Sequence, residues 1–479
     1  MRSVTTLVIK VIFIFIITCS MGIDKVQALT FTVNSTEDAE DSIPGNGSCD
    51  DGQGRCTLRA AIMEANAWLG ADLIILPSNT YLLSITGRGE EAAVSGDLDI
   101  TESLTITGGG QETTLIDGGG IDRVFHIHSV PVTITDLTIQ NGADEPIFGL
   151  GKGGGIYNNQ GDLTLTNVTI RNNKGNKSQG AMGWGGGVYN DSGGLILFNV
   201  NFSDNEASIG GNGLGGGIYN DGVLDFKNGI VSGNLSQGGG GLYNTGNVTI
   251  EKVSFDNNSA GFGVGGGIYN SGSLDLKKSI ISGRTDGSSS ANLGGGILNS
   301  GTPVNIENVT ISGNKVNSDG GGIFNGYQVP GSLITLTNVT ISHNTALLNA
   351  GGVFNETNNP VNIVYLKNTI IANSTGGNCS GTITSNGHNL EDENSCGLSG
   401  TGDLINTNPN LGPLEDNEGP TLTHALILPS PAINAGDNNG CPATDQRGVR
   451  RPLGPTCDIG AYEYNPFIHS LFLPLVIRN

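Results

Sequence analysis

The side chains that could do chemistry in this sequence are few and scattered. His126 and His128 alternate along the strand-like segment Arg123–His128 and so share one side of it, but they lack an obvious carboxylate partner. They read as solvated strand histidines. Elimination from a uronate would want acidic side chains of neighbouring repeats gathered around Ca2+, with an arginine or lysine as base. Glycoside hydrolysis would want two carboxylates at a fixed separation. Asp225 and Asp275 share one repeat position, yet Thr249 stands between them. Asp445, Arg447, Asp458 and Glu463 fit either a site or the hydrogen bonds of a terminal cap. Beyond Cys19, six cysteines fall by proximity into Cys49/Cys56, Cys379/Cys396 and Cys441/Cys457. They lack CxxC spacing and neighbouring histidines, so disulfides are expected and a metal centre is not. No cofactor is expected, and Ca2+ would enter only with the elimination chemistry.

The elements that must position these groups come from a repeat. A glycine-rich segment of the form G-G-G-aliphatic-aromatic-Asn recurs, ending at Asn158, Asn190, Asn220, Asn244, Asn270, Asn299, Asn325 and Asn355. After each copy come apolar columns: Leu163, Leu195, Leu224, Val248, Leu274, Val304, Ile334 and Val364, then a second two residues on. A third runs Ile170, Phe202, Val231, Phe255, Ile281, Ile311, Ile341 and Ile371. Period-two alternation marks strands with one buried face, and the change of parity near Asn167, Asn199, Asn228, Asn308, Asn338 and Asn368 marks a corner. One repeat therefore makes one coil, stacked on the next at about 4.8 Å. The expected fold is all-β: a right-handed parallel β-helix with inward aliphatics, an asparagine ladder and glycines at bends needing positive φ. The glycines, 78 in all, are clumped rather than spaced by three, which excludes collagen.

Outward positions are less regular. Lys227, Glu251, Lys277 and Glu307 alternate in sign over four coils and suggest a cross-strand ion ladder. Tyr157, Tyr189, Tyr219, Tyr243, Tyr269, Phe324 and Phe354 share one column, broken only by Leu298. Facing outward, they would form a strip on which sugar rings stack; packed beneath the glycine-rich loops, they would be a structural stack. An ice-binding array would need unbroken outward threonines, and the coils between Thr164/Thr166 and Thr335/Thr337 break the row with isoleucine, phenylalanine, aspartate and lysine.

The ends depart from the repeat. Arg2, Lys10 and the apolar stretch Val11–Thr18 resemble a signal peptide, with Val26-Gln27-Ala28 as cleavage site and Leu29 as the new terminus. The apolar stretch is too short for a membrane span. Thr57–Leu69 places Leu58, Ile62, Ala65 and Trp68/Leu69 at helical spacing, a short helix to cap the β-helix. The division expected is 1–28 signal peptide, 29–97 N-terminal cap, 98–375 repeats, 376–464 last coils and C-terminal cap, and 465–479 apolar tail. A net charge of −22 argues against nucleic-acid binding and disfavours an anionic membrane surface.

Cys56-Thr57-Leu58-Arg59-Ala60-Ala61 followed by Glu64-Ala65-Asn66 resembles the CSLREA-type motif of bacterial exported β-helix proteins, with Thr57 for serine and Ala60 for glutamate. Ser430–Gly436, Asp445–Gly448, Arg451-Pro452 and Asp458–Glu463 resemble the choice-of-anchor Q domain of surface β-helix proteins. The resemblance implies export and surface association, and it carries no catalytic residues to this chain. The expected function is a secreted or cell-surface protein, adhesive, structural or glycan-binding, with an extracellular polysaccharide or cell-surface glycan as partner. The alternative is a polysaccharide lyase or glycoside hydrolase of the pectin-lyase-like kind.

Overall fold

The computed structural model describes residues 27–466 except 146–148, 179, 209–211, 262, 284–290, 329 and 358–360. The signal-peptide stretch through residue 26 and the apolar tail from residue 467 lie outside the described residues.

The apolar columns close into a parallel β-helix of about ten turns. Parallel register carries Leu163 onto Leu195, Leu224, Val248, Leu274, Val304, Ile334 and Val364 in succession. On this wall the strands Asp162–Arg171, Gly194–Ser203, Val223–Ser232 and Asn247–Asp256 each bend once, and later coils split there into two short strands. The bend is a left-handed residue: Asn167, Asn199, Asn228, Asn308, Asn338 and Asn368 have φ between 49° and 55°. Asparagine tolerates that conformation because its short polar side chain bonds locally. A second wall stacks eleven short strands from Leu98–Ile100 and Phe125–His128 to Cys379–Ser380. Between the walls lies one continuous core, with Phe202, Phe226 and Phe255 fully buried.

The Asn158 column forms a buried ladder. Each side-chain amide donates to the next coil's side-chain oxygen at 2.7–2.9 Å, from Asn158 through to Asn355. A second ladder, not read from the sequence, links Asn173, Asn205, Asn234 and Asn258, and again Asn314 and Asn344.

The glycine triplets divide the work unequally. Only the first residue of each needs positive φ, as at Gly215 (φ 67°). The third is glycine for lack of room: a Cβ on Gly217 would stand 2.7 Å from the Gly241 carbonyl oxygen of the next coil.

The N-terminal helix spans Leu58–Ala67, capped by Thr57, whose hydroxyl accepts from the Ala60 N–H at 3.0 Å. It is not amphipathic in the way expected. Every residue from Leu58 to Ala65 is buried, and Leu69 is exposed. The segment before the helix wraps its outer side: Arg59 pairs with Asp38 at 2.7 Å, and Glu64 accepts from the Gly45 N–H at 2.6 Å and the Trp68 indole at 2.8 Å. Arg59 also donates to the carbonyls of Ala93, Gly96 and Asp97, which fixes the loop entering the first coils.

The three disulfides are Cys49–Cys56, Cys379–Cys396 and Cys441–Cys457. Cys379 and Cys396 belong to the main core at its last turn. The C-terminal segment returns along the bent wall. Gln446 accepts from Thr310, His424 meets Ser312 at 2.9 Å, and the Gly460 N–H donates to the Asn368 carbonyl. That return buries Thr310, Ser312, Thr340 and Ser342, which alternation alone would leave outward. Among the described residues, no helix is long and apolar enough to cross a membrane.

Candidate functional site

Among the described residues polar side chains line several cavities, and two of these lie beside side chains singled out from the sequence. The first lies at the N-terminal end of the eleven-strand wall, where the loop held by Arg59 meets the first coils. Register puts Asp99 beside His126, and His126 beside Tyr157, in one column. The histidines therefore do have carboxylate partners, which corrects the reading of two solvated side chains. His128 Nε2 lies 2.9 Å from Asp99 Oδ1 and 3.2 Å from Glu91 Oε2. His126 Nδ1 lies 3.2 Å from Asp99 Oδ1 and 3.3 Å from Glu91 Oε2. His126 is buried, and neither of its ring nitrogens makes a hydrogen bond. The partner was missed because it stands one whole coil earlier in the chain; aligning Leu98–Ile100 with Phe125–Ile127 would have found it.

Beside this cluster is a cavity of about 400 Å3 lined by Arg88, Arg123, Asp144, Lys152 and Tyr157, among others. The Tyr157 hydroxyl donates to Asp191 at 2.9 Å, and Lys152 donates to both, at 3.0 and 3.3 Å. Arg123 is clasped by Asp97 and lies 5.6 Å from the Tyr157 ring centre. Burial raises the Tyr157 phenol. Burial would lower Lys152, but its bond to Tyr157 and the charge of Asp191 hold the ammonium form above its ordinary range. Burial also raises Asp97, Asp144 and, up to about 6, Asp122, against the pull of Arg123. The His126 imidazole is pushed down by burial. Asp99 is held at about 2: burial opposes its charge, and contacts with the two histidines and the Ala93 N–H outweigh it.

From Tyr157 onward the aromatic column continues. Tyr157 stacks on Tyr189 at 5.3 Å, Tyr219 on Tyr243 at 5.1 Å, Tyr243 on Tyr269 at 4.3 Å and Phe324 on Phe354 at 4.9 Å. Tyr189 meets Tyr219 edge-on, with Trp184 laid over Tyr219. Tyr157, Tyr189 and Tyr219 keep only 7%, 3% and 6% exposure, Phe324 is buried, and Tyr243, Tyr269 and Phe354 are half-buried. The ring faces of this column are largely taken up by one another.

The second place is on the outward face of the bent wall. A groove of about 310 Å3 crosses four coils, lined by Asp225, Lys227, Asn247, Thr249, Asp275 and Asn305, with others between. On the preceding coil, Ile196 and Phe198 occupy the matching positions and are exposed, Phe198 at 47%. The expected ion ladder takes another form here. Lys227, Glu251, Lys277 and Glu307 do stand in register. Each lysine, however, bonds the aspartate two residues before it on its own strand: Lys227 to Asp225 at 2.8 Å and Lys277 to Asp275 at 2.7 Å. Glu251 faces Lys278 at 3.7 Å. An i,i+2 partner shares the strand face and needs no reach between coils.

The C-terminal quartet is closed. Asp445 is fully buried and bonds Arg447 at 2.7 Å; Arg447 lies over the Tyr462 ring at 3.6 Å, and Glu463 faces Arg451 at 3.6 Å.

No family model matches the chain, and no curated protein matches it. Among solved structures it is similar to the pectate lyase Pel9A, with 15% identity and a TM-score of 0.41 over 92% of this chain and 98% of that one. It is also similar to the A-module of the mannuronan C-5 epimerase AlgE6 of Azotobacter vinelandii, with 16% identity and a TM-score of 0.39 over 78% and 95%. The likeness is one of fold, and it brings no residue roles to this chain.

Proposed function

We propose that this chain is a secreted or cell-surface β-helix protein that binds extracellular polysaccharide without transforming it. The observation carrying this reading is the groove across four coils, with carboxylate, amide and hydroxyl side chains beside the exposed ring of Phe198. Sugar recognition combines an aromatic plane with hydrogen bonds to ring hydroxyls, and a solenoid wall offers both along the length of a glycan chain. Three disulfides fit an oxidising compartment. Retention on immobilised polysaccharides and on a glycan array tests it. Phe198→Ala and the double variant Asp225→Ala/Asp275→Ala should each weaken retention by about tenfold or more, a loss of the size expected of a contact at the centre of an interface. Wild-type protein retained by no glycan, or variants retained as well as wild type, would count against it.

A second reading, a carbohydrate-active enzyme, is favoured by the N-terminal cavity. Arg88, Arg123 and Lys152 would neutralise a uronate carboxylate there, with the protonated Tyr157 and Lys152 placed to donate a proton to a leaving oxygen. Formation of unsaturated product from uronate polymers, abolished by Tyr157→Phe, would establish it over the binding reading.

A further inference from the structure

We propose that Glu91, Asp99, His126 and His128 bind one divalent first-row transition metal ion, with Zn2+ the best match to their donor set. The four ligand atoms all lie within 4.8 Å of one another. The four imidazole-to-carboxylate distances are 2.9, 3.2, 3.2 and 3.3 Å. A tetrahedral ion with bonds of about 2.0–2.1 Å has six ligand–ligand edges of about 3.3–3.4 Å; these four pairs stand within a few tenths of an ångström of that spacing, and the remaining two lie within 4.8 Å. Two imidazole nitrogens with two carboxylate oxygens form a borderline donor set suited to Zn2+. Ca2+ would ask for about six to eight oxygens at longer range, and the cluster supplies carboxylates from only two residues.

Two further observations point to a ligand. His126 is buried and neither ring nitrogen makes an aligned hydrogen bond; Nδ1, which faces the Asp99 and Glu91 oxygens at 3.2 and 3.3 Å, would be satisfied by coordination. The Asp99 carboxylate is already oriented, because its other oxygen accepts from the Ala93 N–H at 3.1 Å, which leaves Oδ1 for the cluster. Such outer bonds are what hold metal ligands in place.

Three of the ligands belong to two adjacent rungs. Asp99 and His126 are register partners, and His128 is two residues along the same strand face. Glu91 comes from the loop ahead of them and is 61% exposed at its side chain. Four protein ligands make a closed, structural site. The ion would staple the loop around residue 91 to the first coils, where a β-helix would otherwise fray, and this role is independent of any glycan bound on the bent wall.

The test uses the purified chain with its disulfides intact, stripped with a chelator and titrated with Zn2+ by calorimetry. One ion per chain should bind at micromolar or tighter affinity, millimolar Ca2+ should not displace it, and the melting temperature should rise by several degrees. Co2+ in its place should give the strong visible absorption of a tetrahedral site. Glu91→Gln and His128→Gln should each weaken Zn2+ binding by about tenfold or more. Glu91→Gln alters only an exposed loop carboxylate, so its melting temperature in chelator should equal that of wild type and a folding defect cannot mimic the result. No stoichiometric Zn2+ uptake by wild type, unchanged affinity in both variants, or displacement by Ca2+ would each overturn the proposal.

Discussion

Lys252 and Lys278 occupy the corner position that asparagine fills in six other coils, with the same left-handed backbone at φ 59° and 48°. Lysine has no short side chain to bond locally there, and the left-handed conformation costs a residue with a Cβ roughly 1–2 kcal/mol. Lys252→Asn should therefore stabilise the chain by up to about 1 kcal/mol, read as a rise in denaturation midpoint at unchanged slope. Asp122 makes a different residue-scale prediction. Burial pushes it up to about 6, with Asp144 adding to the shift and Arg123 and Lys177 opposing it. The folded chain thus holds this proton to higher pH than the unfolded chain does. Its contribution is complete below about pH 4 and is lost as pH rises toward 6, by at most about 3 kcal/mol. Asp122→Asn keeps an oxygen for the Arg123 backbone N–H, now 2.8 Å away, and cannot ionise. Its melting temperature relative to wild type should climb between pH 4 and pH 7; a difference independent of pH would refute the assignment.

Within single elements, the ladders and the glycine triplets set the coil spacing. Asn220 is fully buried, accepts from Asn190 at 2.7 Å and donates to Asn244 at 2.8 Å. Asn220→Ala would strand a buried donor on one side and a buried acceptor on the other, for about 2–4 kcal/mol in chemical denaturation. Gly216→Ala should cost at least as much by a separate route. Its Cβ would meet the Gly240 carbonyl oxygen at 2.4 Å, so the next coil must shift. The residues involved show why half of this was legible. The Asn158 column recurs beside the glycines and announces itself, whereas Asn173, Asn205 and Asn234 follow the third apolar column at a fixed offset that only a full column alignment exposes. The role of Gly216 was misassigned for a physical reason: sequence reports that a Cβ is absent and not what would have touched it.

Over the whole molecule, stability is a sum of neighbouring coils with vulnerable ends, as in any solenoid. The disulfides sit at those ends, and each of their short loops is worth about 2–4 kcal/mol. Under a reducing agent, hydrogen exchange should quicken first in residues 29–60 and 376–464, while amides of the coils from 156 to 256 stay protected. Uniform loosening of all coils would argue against end-stapling.

Repetition made the fold readable. Columns of Leu, Val and Ile at period two can bury their faces only by stacking coil on coil, so composition and spacing determined the parallel β-helix, the inward columns, the corner asparagines and the local cysteine pairs. Contacts between segments with no shared period could only be decided in three dimensions. The fold-back that buries Thr310 and Ser312 spans more than a hundred residues, and the wrap around Arg59 and Glu64 turns an apparent surface helix into a buried one. The same holds for the candidate sites. Asp99 and His126 are neighbours only because one turn intervenes, Glu91 arrives from a loop, and the aromatic column closes on itself once its rings stack. A side chain's partner depends on register and loop path, which alternation along one strand does not encode.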